Sequence, residues 1–129
     1  MRRLAAEFLR FGAVGAAGFA VDTAVVYALR GAVGLYWAGA FAYVAAASGN
    51  WALNRAWTFR GRSAGIAAHR QWARFLAANL VGFALNRGTY ALAIAWSPLA
   101  EAHPVLAILA GTGAGMFANF FLSRTLVFR

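Results

Sequence analysis

Four stretches of the chain, roughly Leu9–Leu29, Leu35–Leu53, Phe75–Trp96 and Val105–Leu122, are apolar over about the 20 residues a helix needs to cross a bilayer. This feature constrains the fold most, because in hydrocarbon a segment must pair all its own backbone N–H and C=O groups. The breaks are legible as RGAVG (Arg30–Gly34), SPLAEAHP (Ser97–Pro104) and a longer polar loop, RGRSAGIAAHRQWAR (Arg60–Arg74). Of the 129 residues, 63% are hydrophobic and only 12% charged, too few polar side chains to cover a water-soluble domain of this size. The mean hydropathy of +0.63 agrees. The start, MRRLAAEFLR, has the charge of a signal peptide, but the apolar run behind it is longer than a signal core and three more follow. A retained first span is expected.

The net charge of +9 comes from twelve arginines and no lysine against Glu7, Asp22 and Glu101. A basic nucleic-acid binder would carry such charge on a solvated face. Here the arginines sit at the edges of apolar runs, as anchors to anionic headgroups do, so the expected partner is the lipid bilayer and not nucleic acid. Arg2, Arg3 and Arg10 precede the first run, Arg55, Arg60, Arg62, Arg70 and Arg74 fall between the second and third, and Arg124 and Arg129 follow the fourth. Only Arg30 lies on the other side, and Arg87 is inside the third run. The positive-inside rule then puts both termini in the cytoplasm, in a multi-pass protein of the cytoplasmic membrane. Trp37, Trp57, Trp72 and Trp96 fall near the run ends, where aromatic belts form.

The chain also repeats itself. NWALNRAWTFR (Asn50–Arg60) and NFFLSRTLVFR (Asn119–Arg129) share N-x-x-L-x-R-x-x-x-F-R, setting Asn50 over Asn119, Arg55 over Arg124 and Phe59 over Phe128. RFGAVGAAGFAVD (Arg10–Asp22) aligns with RFLAANLVGFALN (Arg74–Asn86), setting Gly18 over Gly82 and Asp22 over Asn86. Two copies of two spans each cross in the same sense, a parallel repeat about an axis along the membrane normal. The expected architecture is an all-α membrane protein: one domain over residues 1–129, with four transmembrane helices as two tandem two-helix repeats, about 9–60 and 73–129.

Polar residues inside the runs are the candidate site. Ionisable groups there are costly and face protein or a water-filled cavity. Asp22 lies roughly 18 Å of helix past Arg10, and Arg87 roughly 20 Å past Arg74, so both belong near the membrane centre. An Asp22–Arg87 pair would relieve both desolvation penalties; it reads either as a structural lock or as a place where Arg87 receives an anion beside Asp22 and Asn86. Ala38, Ala42, Ala46, Asn50 and Asn54 form one small-residue stripe at i+4 spacing, and Ala107, Gly111, Gly115, Asn119 and Ser123 form another. Each turns polar toward the arginines. Asn50, Asn54 and Asn119, with Arg55 and Arg124 close by, are suited to a phosphate and sugar hydroxyls; the competing reading is hydrogen-bonded glue between helices. Gly111, Gly113 and Gly115 are a candidate contact between chains, with packing within one chain the favoured reading.

Other chemistries lack their residues. There is no Cys, and His69 and His103 have no neighbours at ligand spacing, so neither a metal site nor a cofactor is expected. Ser48, Ser63, Ser97 and Ser123 have no His–acid partners, so hydrolysis is not expected either.

NWALNRAWTFR and the opening RFGAVGAAGFAVDTAVVYAL, where Arg-Phe leads a Gly-rich helix carrying an Asp, resemble the GtrA-like family of small four-span membrane proteins. The second copy departs from that pattern at Ser123 and Leu126, which stand where the first has Asn54 and Trp57. The resemblance implies a role in cell-surface polysaccharide synthesis: flipping a polyprenyl-phosphate-linked monosaccharide across the cytoplasmic membrane, or partnering the membrane glycosyltransferase that makes it. Four spans are few to enclose such a head group, so a homodimer or larger assembly is expected. Two other classes fit the same features: a non-transporting scaffold for the glycosyltransferase, and a small proton-coupled multidrug exporter using Asp22. The strong arginine bias and the intramembrane Arg87 argue against the exporter.

Overall fold

The computed structural model describes residues 1–62 and 65–129, and within them the chain is helical apart from short connections. Ser63 lies outside the described residues. Helix α1 (Arg2–Leu53) is broken once, at Gly34, whose φ of 80° and ψ of 169° only glycine adopts without strain. The expected loop at Arg30–Gly34 is thus helix up to a single-residue hinge between two limbs, 2–33 and 35–53. They fold back on each other: Gly18 and Asn50, equidistant from Gly34 along the chain, are in contact. Helix α2 (Ala68–Trp96) is followed by a single turn, α3 (Pro98–Ala102), then by α4 (Pro104–Leu122). Ser97 starts α3 by accepting the Ala100 N–H at 3.2 Å, and Pro98 and Pro104 occupy first-turn positions where a missing N–H costs nothing.

Both hairpins end in a π turn, Asn54–Thr58 after α1 and Ser123–Val127 after α4. Each is closed by the same bond: the Phe59 N–H donates to Asn54 O at 2.8 Å, and the Phe128 N–H to Ser123 O at 2.8 Å. The wider turn carries Phe59 and Phe128 inward, where their rings stack at 4.8 Å between centroids. Phe11, Phe75, Phe120 and Val127 join them in a buried aromatic plug. It is the hydrophobic core of the molecule, and it sits at the arginine-rich end.

Four antiparallel contacts close the helices into a ring. The first limb meets the second at Gly18 and Asn50, and α2 meets α4 at Gly82 and Asn119. Tyr43 and Ser48 of the second limb bond to Leu76 and Trp72 of α2. Phe8 of the first limb stacks on Phe117 of α4 at 5.2 Å. Within each hairpin the small-residue stripes face inward: Ala38, Ala42, Ala107, Gly111 and Gly115 are buried. Gly111 and Gly115 press on the Asn86 and Gly82 carbonyls of α2, so these two glycines serve packing within the chain, whereas a Cβ on Gly113 would meet open space.

Two helical stretches are long and apolar enough to cross a membrane, Arg2–Thr58 and Pro104–Val127. The 52 residues of α1 measure roughly 78 Å of helix, more than twice a hydrocarbon core, so the hinge at Gly34 makes two lengths of it. The 29 residues of α2 are long enough but less apolar, since Asn79, Asn86 and Arg87 interrupt them. Much of the outer surface is apolar, with Tyr27, Leu92, Trp96 and Leu109 all more than half exposed.

Candidate functional site: an amide-lined cleft between the hairpins

The plug is the floor of a cleft of about 420 Å³ between the hairpins. Phe11 and Phe75 belong to both, and the walls run from them away from the arginine-rich end. Five asparagines from three helical segments line it: Asn50 and Asn54 from the end of the first hairpin, Asn79 and Asn86 from α2, and Asn119 from α4. Tyr43 and Thr112 add hydroxyls, and glycines 12, 15, 82 and 115 leave room. No charged side chain lines it among the described residues. A volume of this order suits a small ligand.

The amides are positioned by close helix contact. A side chain on Gly18 would overlap the Asn50 amide, and one on Gly82 would overlap the Asn119 amide, so the glycines of the two aligned segments hold equivalent places. Asn54 Oδ1 accepts the Thr58 hydroxyl at 2.7 Å, and Asn79 Nδ2 donates to Phe75 O at 2.9 Å. Asn119 Oδ1 is buried without a hydrogen-bond partner. An orphaned amide oxygen costs about 1–3 kcal/mol, which a hydroxyl-bearing ligand or a water would offset.

Of the residues picked from the sequence, Asn50, Asn54, Asn86 and Asn119 therefore meet in one cleft. The arginines do not join them. Arg124 Nε donates to Glu7 Oε2 at 2.8 Å, and Arg55 Nη1 donates to Gln71 Oε1 at 2.8 Å. The expected Asp22–Arg87 pair is absent among the described residues. Asp22 is half-buried and outside the cleft lining, while Arg87 is exposed with its guanidinium 5.8 Å from the Phe83 ring. Geometry explains this. Arg87 directly follows Asn86, which faces in, so it lies about 100° around the helix and faces out.

Sequence reading missed Glu7 and Gln71. Glu7 is 4% exposed and meets three arginines: Arg124, Arg62 at 3.0 Å and Arg3 at 3.5 Å. Gln71 is fully buried; Trp51 Nε1 also donates to its Oε1 at 3.0 Å, and its Nε2 donates to Val127 O at 3.4 Å. The signal was present, since each stands three residues before the Arg-Phe that opens its segment, in EFLRF (Glu7–Phe11) and QWARF (Gln71–Phe75).

The family model described as GtrA/DPMS, transmembrane domain, matches residues 10–128. The chain belongs to the GtrA-like family. It is an all-helical membrane protein, and its family points to the handling of polyprenyl-phosphate sugars. No curated protein matches the sequence. The matched span takes in both Arg-Phe segments and both π turns, so the cleft and its floor lie inside the family's domain.

Proposed function

We propose that this chain flips a polyprenyl-phosphate-linked monosaccharide across the cytoplasmic membrane. It does so as four spans in two tandem repeats with both termini in the cytoplasm. The observation that carries this reading is the cleft lined by Asn50, Asn54, Asn79, Asn86 and Asn119. Amides donate and accept at once, which is what a hydroxyl-rich sugar needs, and without lining charge they do not favour a cation. The prenyl tail stays in lipid along the apolar outer surface. With both termini in the cytoplasm, the aromatic plug at the arginine-rich end lies between the cleft and the cytoplasm. Rocking one hairpin against the other about the plug would expose the cleft alternately. No catalytic step is assigned to the chain, and a second copy or a membrane glycosyltransferase would complete the assembly. An exporter coupled through Asp22 finds no support, because the cleft lining contains no acid.

The test is reconstitution of the purified chain in liposomes with a labelled polyprenyl-phosphate hexose, following its transbilayer movement. Wild type should accelerate it, and Asn50→Ala with Asn119→Ala should remove most of the acceleration while the protein stays folded. Movement no faster than in protein-free liposomes would overturn the reading. Co-purification with a glycosyltransferase would then favour the scaffold.

A further inference from the structure

The two hairpins meet along two seams, and aligned residues close the arginine-rich foot of each. At the seam between the first limb and α4, Arg124 is held by Glu7, a buried carboxylate that also takes Arg62 and Arg3. At the seam between the second limb and α2, Arg55 stands where the other has Arg124, and Gln71 stands where it has Glu7. The difference is one of charge. Arg124 is neutralised by a carboxylate, whereas the Arg55 contacts are a carboxamide oxygen at 2.8 Å and the Trp51 ring at 5.8 Å. No acid pairs with Arg55 among the described residues, although it is half-buried. A guanidinium withdrawn from water beside only neutral partners lacks the anion that would compensate its desolvation.

We infer that Arg55 is the phosphate-capturing residue for the lipid-linked sugar, and that the seam between residues 35–53 and α2 is the side portal by which the head group reaches the cleft. This rests on the transport reading given above. Arg55 directly follows Asn54 of the cleft lining, so a phosphate on it leaves the attached sugar beside the amides. The other bonds across this seam are also neutral: Trp72 Nε1 to Ser48 Oγ at 2.8 Å, Tyr43 Oη to Leu76 O at 2.8 Å and Trp51 Nε1 to Gln71 Oε1 at 3.0 Å. A phosphate offers Arg55 two charged oxygens in place of one carboxamide oxygen, so it displaces Gln71. At the other seam the same anion would have to displace Glu7 and be repelled by it. Arg124 is therefore a closing residue and not a phosphate ligand. Duplication supplied two equivalent arginines, and the carboxylate on one side leaves a single competent one.

The experiment is binding of a short-chain prenyl phosphate to the full chain in neutral detergent. The uncharged prenol serves as control and phosphatidylglycerol as competitor. Gln71→Glu, which seats a carboxylate against Arg55 and gives up the Nε2–H bond to Val127 O, should weaken prenyl-phosphate binding by about tenfold to a hundredfold in protein that remains folded. Prenol binding should not change. If that variant fails to fold, Arg55→Gln removes the cation and should abolish the preference for phosphate over prenol. Undiminished binding by either folded variant overturns the assignment. So does equal competition by phosphatidylglycerol, which would make the site one for bulk anionic lipid. Binding that behaves as expected in a protein that moves no lipid in liposomes would overturn the transport reading and leave this assignment standing.

Discussion

The seam between the first limb and α4 ends on Glu7 and Arg124; its counterpart between the second limb and α2 ends on Gln71 and Arg55. Above the first the contact is aromatic, with Phe8 against Phe117 and Phe120 at 5.2 Å each. Above the second it is a ladder of neutral hydrogen bonds from Trp51, Ser48 and Tyr43. The residues align one for one along the repeat, yet one seam is locked by a buried carboxylate and the other is held by carboxamide and hydroxyl groups. A buried charge deprived of its partner is far more expensive than a neutral group deprived of a hydrogen bond. Equivalent positions can thus become a fixed side and a releasable side through a single Glu–Gln difference.

The largest expected effect breaks the locked side. Glu7→Ala leaves Arg124 and Arg62 facing a hole without an anion and should cost about 3 kcal/mol. Gln71→Ala in the other seam should cost about 1–2 kcal/mol. Chemical unfolding in mixed micelles gives both numbers, and an equal or reversed order would dissolve the distinction between the seams.

Next comes packing inside the hairpins. A Cβ on Gly111 would lie 2.6 Å from the Asn86 carbonyl oxygen, a backbone atom that moves only with the helix. Gly111→Ala should therefore cost about 1–3 kcal/mol. The aligned position in the first hairpin is Ala42, already fully buried, and Ala42→Gly should lose only about 1 kcal/mol, the helix propensity of alanine over glycine. If Gly111→Ala proves neutral in thermal melts, the second hairpin is not the more tightly packed of the two.

The smallest effect concerns two neighbours on α2. Arg87→Gln should change stability by less than about 0.5 kcal/mol, as for an exposed residue losing a contact with the Phe83 ring, and should leave transport at the wild-type rate. Asn86→Ala should slow transport, because its amide lines the cleft. Slowed transport in Arg87→Gln would return that arginine to the pathway and require a conformation in which α2 has rotated.

Asn50 and Asn119 were legible in the sequence because a motif at the end of each repeat marks them, and the i+4 stripes beneath them already gave their helix face. Gly18 and Gly82 were legible for the same reason, and the structure supplies the cause, since each makes space for one of those amides. An intramembrane charge suggests a buried partner for Arg87, but one residue of offset from Asn86 turns it outward, and no pair with Asp22 forms among the described residues. Glu7 looked like an isolated acid among anchoring arginines, and its main partner, Arg124, is 117 residues away.

What the sequence by itself determined is whatever follows from local periodicity and repetition: helices, their apolar surface, the inward stripes and the doubling of every important position. These depend on residues a few places apart, or on comparing one half of the chain with the other. Tertiary structure alone decided which half touches which. The arginine of each hairpin bonds to the other hairpin, not to its own, so the partner of Arg55 is Gln71 and that of Arg124 is Glu7. The asymmetry of charge at the two seams depends on that exchange, because contact between distant segments follows from how helices pack and no spacing along the chain encodes it.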